Sequence, residues 1–236
     1  MKITKVKTRF GEFGSPVSSE LDAIVERMRS EDTKADVERI RSVALQSRLM
    51  MEEGAPRFLL KDTDRLPYLL FSATFGKNGL EQPTAFTQLL LLTIPCPEGA
   101  KRIGELKHLV SQVPYTLLAF AGVSGVTLKV VVRCEYSGSA TPWISGDNSR
   151  HAQLDASRYL AFLKEAQETA ARLYTAFVQC NLVIGEPSLA RGCRMSHDPQ
   201  LYYHPEAMAL PVVCPLIIRY GPNISTAGFW RWWPRP

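Results

Sequence analysis

Long apolar runs are missing from this sequence. The longest block, around Leu89 to Leu92, has the length of a strand, far short of the roughly 18 residues of a membrane span. Tight metal-ligand pairs are missing too. There is no Cys-x-x-Cys and no His-x-x-x-His, so Cys180, Cys193, His197 and His204 do not read as structural zinc ligands. The five cysteines (Cys96, Cys134, Cys180, Cys193, Cys214) are odd in number and widely spaced. That excludes a disulfide framework and points to a reduced, cytoplasmic chain. The first ten residues alternate basic and apolar side chains without the apolar block of a signal peptide. No Gly-x-x-x-x-Gly-Lys-Ser/Thr occurs, which excludes a P-loop ATPase. Acids are scarce where the chain is most apolar: Leu90-Leu-Leu-Thr-Ile-Pro95 contains none.

What is present describes a folded chain. Its 236 residues are 45% apolar and 22% charged, ordinary proportions for a globular protein. The net charge of +5 permits a nucleic-acid partner without demanding one. With no repeat and no linker in view, residues 1–220 read as one domain, and residues 221–236 as a Trp/Arg/Pro tail. Residues 2–9 alternate as a strand. Ser18 or Ser19 is expected to cap a helix carrying Leu21, Ile24, Val25 and Met28 on one face, and a second helix starts near Lys34. Residues 50–65 read as a connector or short helix. Residues 67–73 and 86–94 read as buried strands, and 98–113 as a helix striped by Ile103, Leu106, Leu109, Val110 and Val113. Two strands, 115–123 and 127–134, flank a short Ser-Gly-Val connection, as in a hairpin. The longest helix spans 151–180, with Tyr159, Leu163, Ala166, Ala170, Leu173 and Phe177 in its stripe. A short strand at 182–184, an irregular stretch at 187–205 and an edge strand at 210–220 complete the chain. Strand, strand, helix, hairpin, long helix, strand is the order of an α+β domain. Its helices are expected on one side of a mixed, mainly antiparallel, RNA-recognition-like sheet.

Two segments carry candidate chemistry. In Gly122-Val-Ser-Gly-Val-Thr-Leu-Lys129, the small residues Ser124 and Gly125 let backbone N–H groups approach an anion, and Lys129 supplies a point charge for phosphate. The plainer alternative is a hairpin turn followed by an outward-facing lysine. In the stretch from Arg191 to Ala207, Arg191 and Arg194 are candidate phosphate clamps, and His197 beside Asp198 is a candidate oriented acid or base. Here the plainer alternative is an Asx-type turn at Asp198-Pro199 with structural arginines. The tail interleaves Trp230, Trp232 and Trp233 with Arg231 and Arg235, a composition suited to stacking on bases or to docking on protein.

Together, Leu66-Pro-Tyr-Leu-Leu-Phe-Ser-Ala-Thr-Phe-Gly76, Gly122-Val-Ser-Gly-Val-Thr-Leu-Lys-Val-Val-Val132 and Arg191-Gly-Cys-Arg-Met-Ser-His-Asp-Pro-Gln-Leu-Tyr-Tyr-His-Pro-Glu-Ala207 resemble the VirE N-terminal-like family of bacterial mobile-element proteins. That family is in turn similar to archaeo-eukaryotic primase-polymerase domains. The resemblance covers about residues 1–215 and implies a primase-polymerase-like fold. Active members carry an Asp-x-Asp pair on a buried strand and a third Asp later, which hold two divalent cations for nucleotidyl transfer. Here Thr93 and Pro95 stand at the pair's position, and Val183, Glu186 and Ser188 near the third. The resemblance therefore implies a catalytically degenerate protein needing no cofactor. It would bind single-stranded nucleic acid or a nucleotide through Ser124, Gly125, Lys129, Arg191, Arg194, His197 and Asp198. Two alternatives stand beside it. One is an interaction module docking a helicase or ATPase partner. The other is an active enzyme, using magnesium or manganese on repositioned acids such as Glu186 or Asp198.

Overall fold

In the computed structural model, residues 1–9, 12–50, 65–77, 79–138, 141–145 and 153–214 are described. The chain opens with an antiparallel pair, β1 (Lys2–Arg9) and β2 (Glu12–Glu20). Helix α1 (Leu21–Arg29) follows directly, then a 3-10 turn (Glu31–Thr33) and α2 (Lys34–Met50). The α1 N-cap is Glu20, which makes no side-chain capping bond; Ser18 and Ser19, the expected caps, are still in β2. Strand pairing with β1 holds those serines extended and delays the helix by a residue or two.

The predicted strand at 67–73 divides in two. β3 (Tyr68–Leu70) pairs with β1, whereas β4 (Ala73–Phe75) pairs with β5 (Pro83–Phe86). Next come β6 (Leu89–Pro95), α3 (Ala100–Ser111), and the β7 (Thr116–Ala121)–β8 (Thr127–Tyr136) hairpin. A small pair follows, β9 (Ile144–Ser145) and β10 (Gln153–Leu154), and then α4 (Ala156–Val178). The helix predicted over 151–180 is shorter at its start, because Gln153–Leu154 is paired in a ladder and Asp155 caps it by accepting from the Arg158 N–H at 3.0 Å. Three short strands close the described chain: β11 (Gly192–Arg194), β12 (Tyr202–Tyr203) and β13 (Leu210–Val212).

The fold is α+β with two main sheets where one was expected. The larger is β12-β7-β8-β13 with β6 also on β8, and only β13 runs parallel to its neighbour. The second is β11-β3-β1-β2, wholly antiparallel. β6 and β8 are apolar at nearly every position because both their faces are covered. Leu90, Leu92, Ile94, Leu128, Val130 and Val132 join the core under α3 and α4. Leu89, Leu117, Leu118, Phe120 and Val131 join a second core with Ile3, Leu69, Phe71, Cys193 and α1. Helices therefore lie on both sides of the larger sheet. Each large side chain fully buried in these cores contributes roughly 1.5–3 kcal/mol. The aromatic centre of the first core is Trp143, whose ring centroid lies 5.2 Å from that of Tyr159 and 4.6 Å from that of Phe162.

Other expectations change as well. Phe177 is 44% exposed, while Tyr174 and Val178 are buried. The α4 stripe thus drifts off Phe177, as a 3.6-residue turn does over a long helix. Residues 182–184 form no strand; a single bond from the Val183 N–H to the Thr93 carbonyl (2.9 Å) covers the free edge of β6. The stretch 187–205, read as irregular, contains β11 and β12. The connector at 51–64 and the tail at 221–236 lie outside the described residues, as does the final strand beyond Cys214.

Candidate functional site

The β7–β8 hairpin is positioned by the Ser196-His197-Asp198 segment. The Asp198 carboxylate accepts from the Lys107 ammonium (2.6 Å) and the Ala121 N–H (2.8 Å) through Oδ2. Through Oδ1 it accepts from the Gln200 N–H (3.1 Å), an Asx turn. Arg41 of α2 donates through Nη2 to the His197 carbonyl (3.0 Å), the Ser196 hydroxyl (3.3 Å) and the Gly122 carbonyl (3.5 Å). Burial holds the Arg41 guanidinium below its usual pKa. His197 is 5% exposed, with Nδ1 at 2.9 Å from the Ser30 carbonyl. These residues clamp the hairpin to α1, α2 and α3. Ser124 and Gly125, at its tip, line a cavity of about 450 Å³ together with Arg41, Gly99, Ile103 and Lys107. Gly125 has φ +71°, and a Cβ there would press on the Arg41 side chain.

Lys129 is not among that cavity's lining residues. It projects from β8 toward the second sheet, opposite Thr93 on β6 and Phe120 on β7. Its ammonium donates to the Thr93 hydroxyl at 2.8 Å and makes no ion pair among the described residues. Burial first, and the Arg191 charge besides, hold its pKa below that of an ordinary lysine. Arg191 arrives from the strand facing it. It precedes β11, whose Gly192 pairs with Leu70 on β3 and donates its N–H to the Tyr68 hydroxyl oxygen (3.1 Å). A Cβ on Gly192 would land on the Leu69 carbonyl, so only glycine lets β11 approach this closely. The Arg191 guanidinium donates to the Glu186 carbonyl (3.2 Å) and lines a cavity of about 20 Å³ with Ser72, Leu91 and Gln167. Leu91 and Thr93 lie two residues apart on one face of β6. Arg191 and Lys129 therefore lie against neighbouring residues of β6. The neighbouring Cys193 thiol, pushed up to about 11 by burial, is neutral at ordinary pH.

The candidate residues read from the sequence thus fall into three places. Lys129 faces the space between the sheets, and half-exposed Arg191 lies near enough for its charge to act on it. Ser124, Gly125 and Asp198 meet at the hairpin tip, with His197 behind them. Arg194 lies apart, on the opposite face of the second sheet. There it donates to the Thr8 hydroxyl and the Leu66 carbonyl (3.1 Å) and sits 5.5 Å over the Tyr68 ring. His197 and Asp198 are occupied as clamp groups, the plainer alternative for that stretch. Sequence reasoning missed Arg41, Lys107 and the contact of Thr93 with Lys129. Arg41 and Lys107 looked like surface charges of amphipathic helices, and nothing local to them signals a partner far along the chain.

At Thr93 and Pro95 of β6 the side chains offer no carboxylate. Thr93 is held by an ammonium and Pro95 is exposed at the strand end. Glu186 is exposed, and Asp198 is committed to Lys107. Among the described residues no group of three His, Cys, Asp or Glu side chains converges as metal ligands, and no helix is long and apolar enough to cross a membrane.

The family model described as "BT4734-like, N-terminal domain" matches residues 61–203, more than half of the chain. It spans β3 through β12 and so includes the hairpin, Lys107 and Asp198 of its clamp, and Lys129 and Arg191, but not Arg41. No curated protein and no solved structure matches.

Proposed function

The chain belongs to the BT4734-like N-terminal domain family, bacterial mobile-element proteins related to the VirE N-terminal group, and on that premise we propose that it is a primase-like protein that binds a nucleotide or nucleic-acid phosphate without performing nucleotidyl transfer. Its place is accessory, in replication or transfer of the element. The observation that carries this reading is the Lys129–Arg191 pair. A largely buried ammonium with one hydroxyl partner, and with the positive charge of half-exposed Arg191 acting on it, costs stability unless an anion sits with it. A phosphate presents the oxygens that a guanidinium meets bidentately and an ammonium meets as a point charge. Thr93 in place of an acid removes the group that would hold a cation and adds none that repels phosphate. A pocket of this kind positions a ligand but lacks the two-metal displacement of nucleotidyl transfer.

The test is retention of a labelled nucleoside triphosphate and of single-stranded DNA on filters, beside a primer-synthesis assay with magnesium or manganese. Binding that weakens about tenfold in Lys129→Ala and in Arg191→Ala, a loss of roughly 1.4 kcal/mol, supports the reading, together with no synthesis. Unchanged binding in both variants, or metal-dependent synthesis, overturns it.

A further inference from the structure

The inner cleft at Lys129 and Arg191 has a neighbour. Arg191 borders a pocket of about 20 Å³, lined by Leu90 and Leu91 of β6, Leu163 and Gln167 of α4, and Ser72 between β3 and β4. Gln167 stands out on its helix. The other side chains beside it on the buried face, Leu163, Ala166, Ala170 and Ala171, are apolar, yet Gln167 is only 6% exposed. Ser72 is 6% exposed as well. Neither the Gln167 carboxamide nor the Ser72 hydroxyl makes a hydrogen bond with a described residue. Buried polar groups are nearly always paired, so two unpaired ones lining one pocket call for an occupant.

The backbone adds to that lining. Leu90 and Leu91 point to opposite faces of β6, so a pocket touching both lies at the edge of the strand. β6 pairs with β8 along one edge, and the Thr93 carbonyl turns to the other, where it accepts from the Val183 N–H. Edge direction repeats every two residues in an antiparallel ladder, so the Leu91 N–H and C=O turn the same way as those of Thr93. No described residue bonds them. The lining is thus neutral apart from Arg191, mixes donors with acceptors, and contains no carboxylate. A phosphate does not suit it. The Gln167 and Leu91 carbonyl oxygens would meet phosphate oxygens, and the volume takes about one water-sized group. A hydroxyl has that size, and it donates and accepts through a single atom.

We propose that this pocket receives a sugar hydroxyl of the nucleotide whose phosphate meets Lys129 and Arg191, with Gln167 and Ser72 as its hydrogen-bonding partners. A sugar hydroxyl is the water-sized, neutral group that a nucleotide carries a few bonds from its phosphate. Arg191 belongs to both places, since its charge acts on Lys129 and its side chain borders the pocket. The proposal rests on the reading that this chain binds a nucleotide phosphate, and adds how the sugar is read. Gln167 is then a specificity residue: a ligand stripped of its sugar hydroxyls leaves the buried carboxamide unpaired.

Calorimetric titration of adenosine triphosphate, its two monodeoxy forms and its dideoxy form, without metal, tests it in the parent, Gln167→Leu and Ser72→Ala. Inorganic tripolyphosphate is the probe that lacks a sugar. The parent binds adenosine triphosphate about tenfold tighter than the dideoxy form, and the monodeoxy form that shares the loss names the hydroxyl that enters. Gln167→Leu brings adenosine triphosphate down to the dideoxy level, and leaves dideoxy and tripolyphosphate binding as in the parent. Ser72→Ala narrows the gap in smaller degree, and serves if the helix variant does not fold. Equal binding of adenosine triphosphate and its dideoxy form by the parent, or a preference undiminished in the variants, refutes the pocket. If that binding still depends on Lys129 and Arg191, the phosphate site stands without it. Absence of all triphosphate and tripolyphosphate binding overturns the phosphate site, and the pocket with it.

Discussion

Lys107 and Lys129 are both partly buried lysines beside the same hairpin, and the chain treats them in opposite ways. Lys107 meets Asp198 at 2.6 Å and the Gln200 carbonyl at 3.1 Å. Lys129 meets one hydroxyl, with a second cation nearby. The first is a neutralised pair in a built clamp. The second is a charge held in place without its complement. A family fold has no structural need for the second arrangement, since a methionine would fill the same space with less desolvation. The contrast separates a residue that holds the hairpin from one that, on the proposed reading, the hairpin holds for a ligand.

Breaking the clamp has the largest expected effect. Asp198→Ala leaves the Lys107 ammonium and the Ala121 N–H without their partner, and costs about 3 kcal/mol in urea unfolding. Gly192→Ala comes next. Its Cβ meets the Leu69 carbonyl, so β11 moves off β3 at a cost of about 2 kcal/mol, and triphosphate binding falls with the displaced Arg191. Lys129→Met has the opposite sign on stability: a gain on the order of 1 kcal/mol, seen as a thermal midpoint raised by roughly 2–4 °C. The smallest effect sharpens the reading of α4. Phe177→Ser on its exposed face changes stability by less than about 0.5 kcal/mol.

The pH dependence follows from the lowered pKa of Lys129. Between that value and the ordinary lysine pKa, the unfolded chain binds more protons than the folded one, so stability rises with pH across the window. Anion binding runs the other way and weakens as Lys129 loses its proton. In Lys129→Met this contribution to the unfolding free energy disappears. Comparing the two proteins' urea midpoints from neutral to alkaline pH checks the sign.

Much of the larger sheet was legible in the sequence because its signals are local. The apolar run 89–94, the Ser-Gly-Val connection and the α4 periodicity each name an element without reference to distant residues. The second sheet was not. β2 contains Gly14, Ser15 and Pro16, residues poor in strand propensity, and forms because β1 is beside it. β11 is three residues long and depends on Gly192 fitting against β3. The candidate site divided in the same way. Lys129 and Arg191 were visible as charges, but their approach requires the second sheet. Asp198 looked available for chemistry because Lys107 and Ala121 lie far from it along the chain.

The most direct test of the inner cleft is calorimetric titration of a nucleoside triphosphate, without metal, into the parent protein and into Lys129→Met, with thermal midpoints recorded for both. The account predicts that the parent binds and that the variant, equally or more stable, does not. Equal binding by the two proteins, or a variant destabilised by loss of the lysine, would show that Lys129 is a structural residue and that the cleft holds no anion.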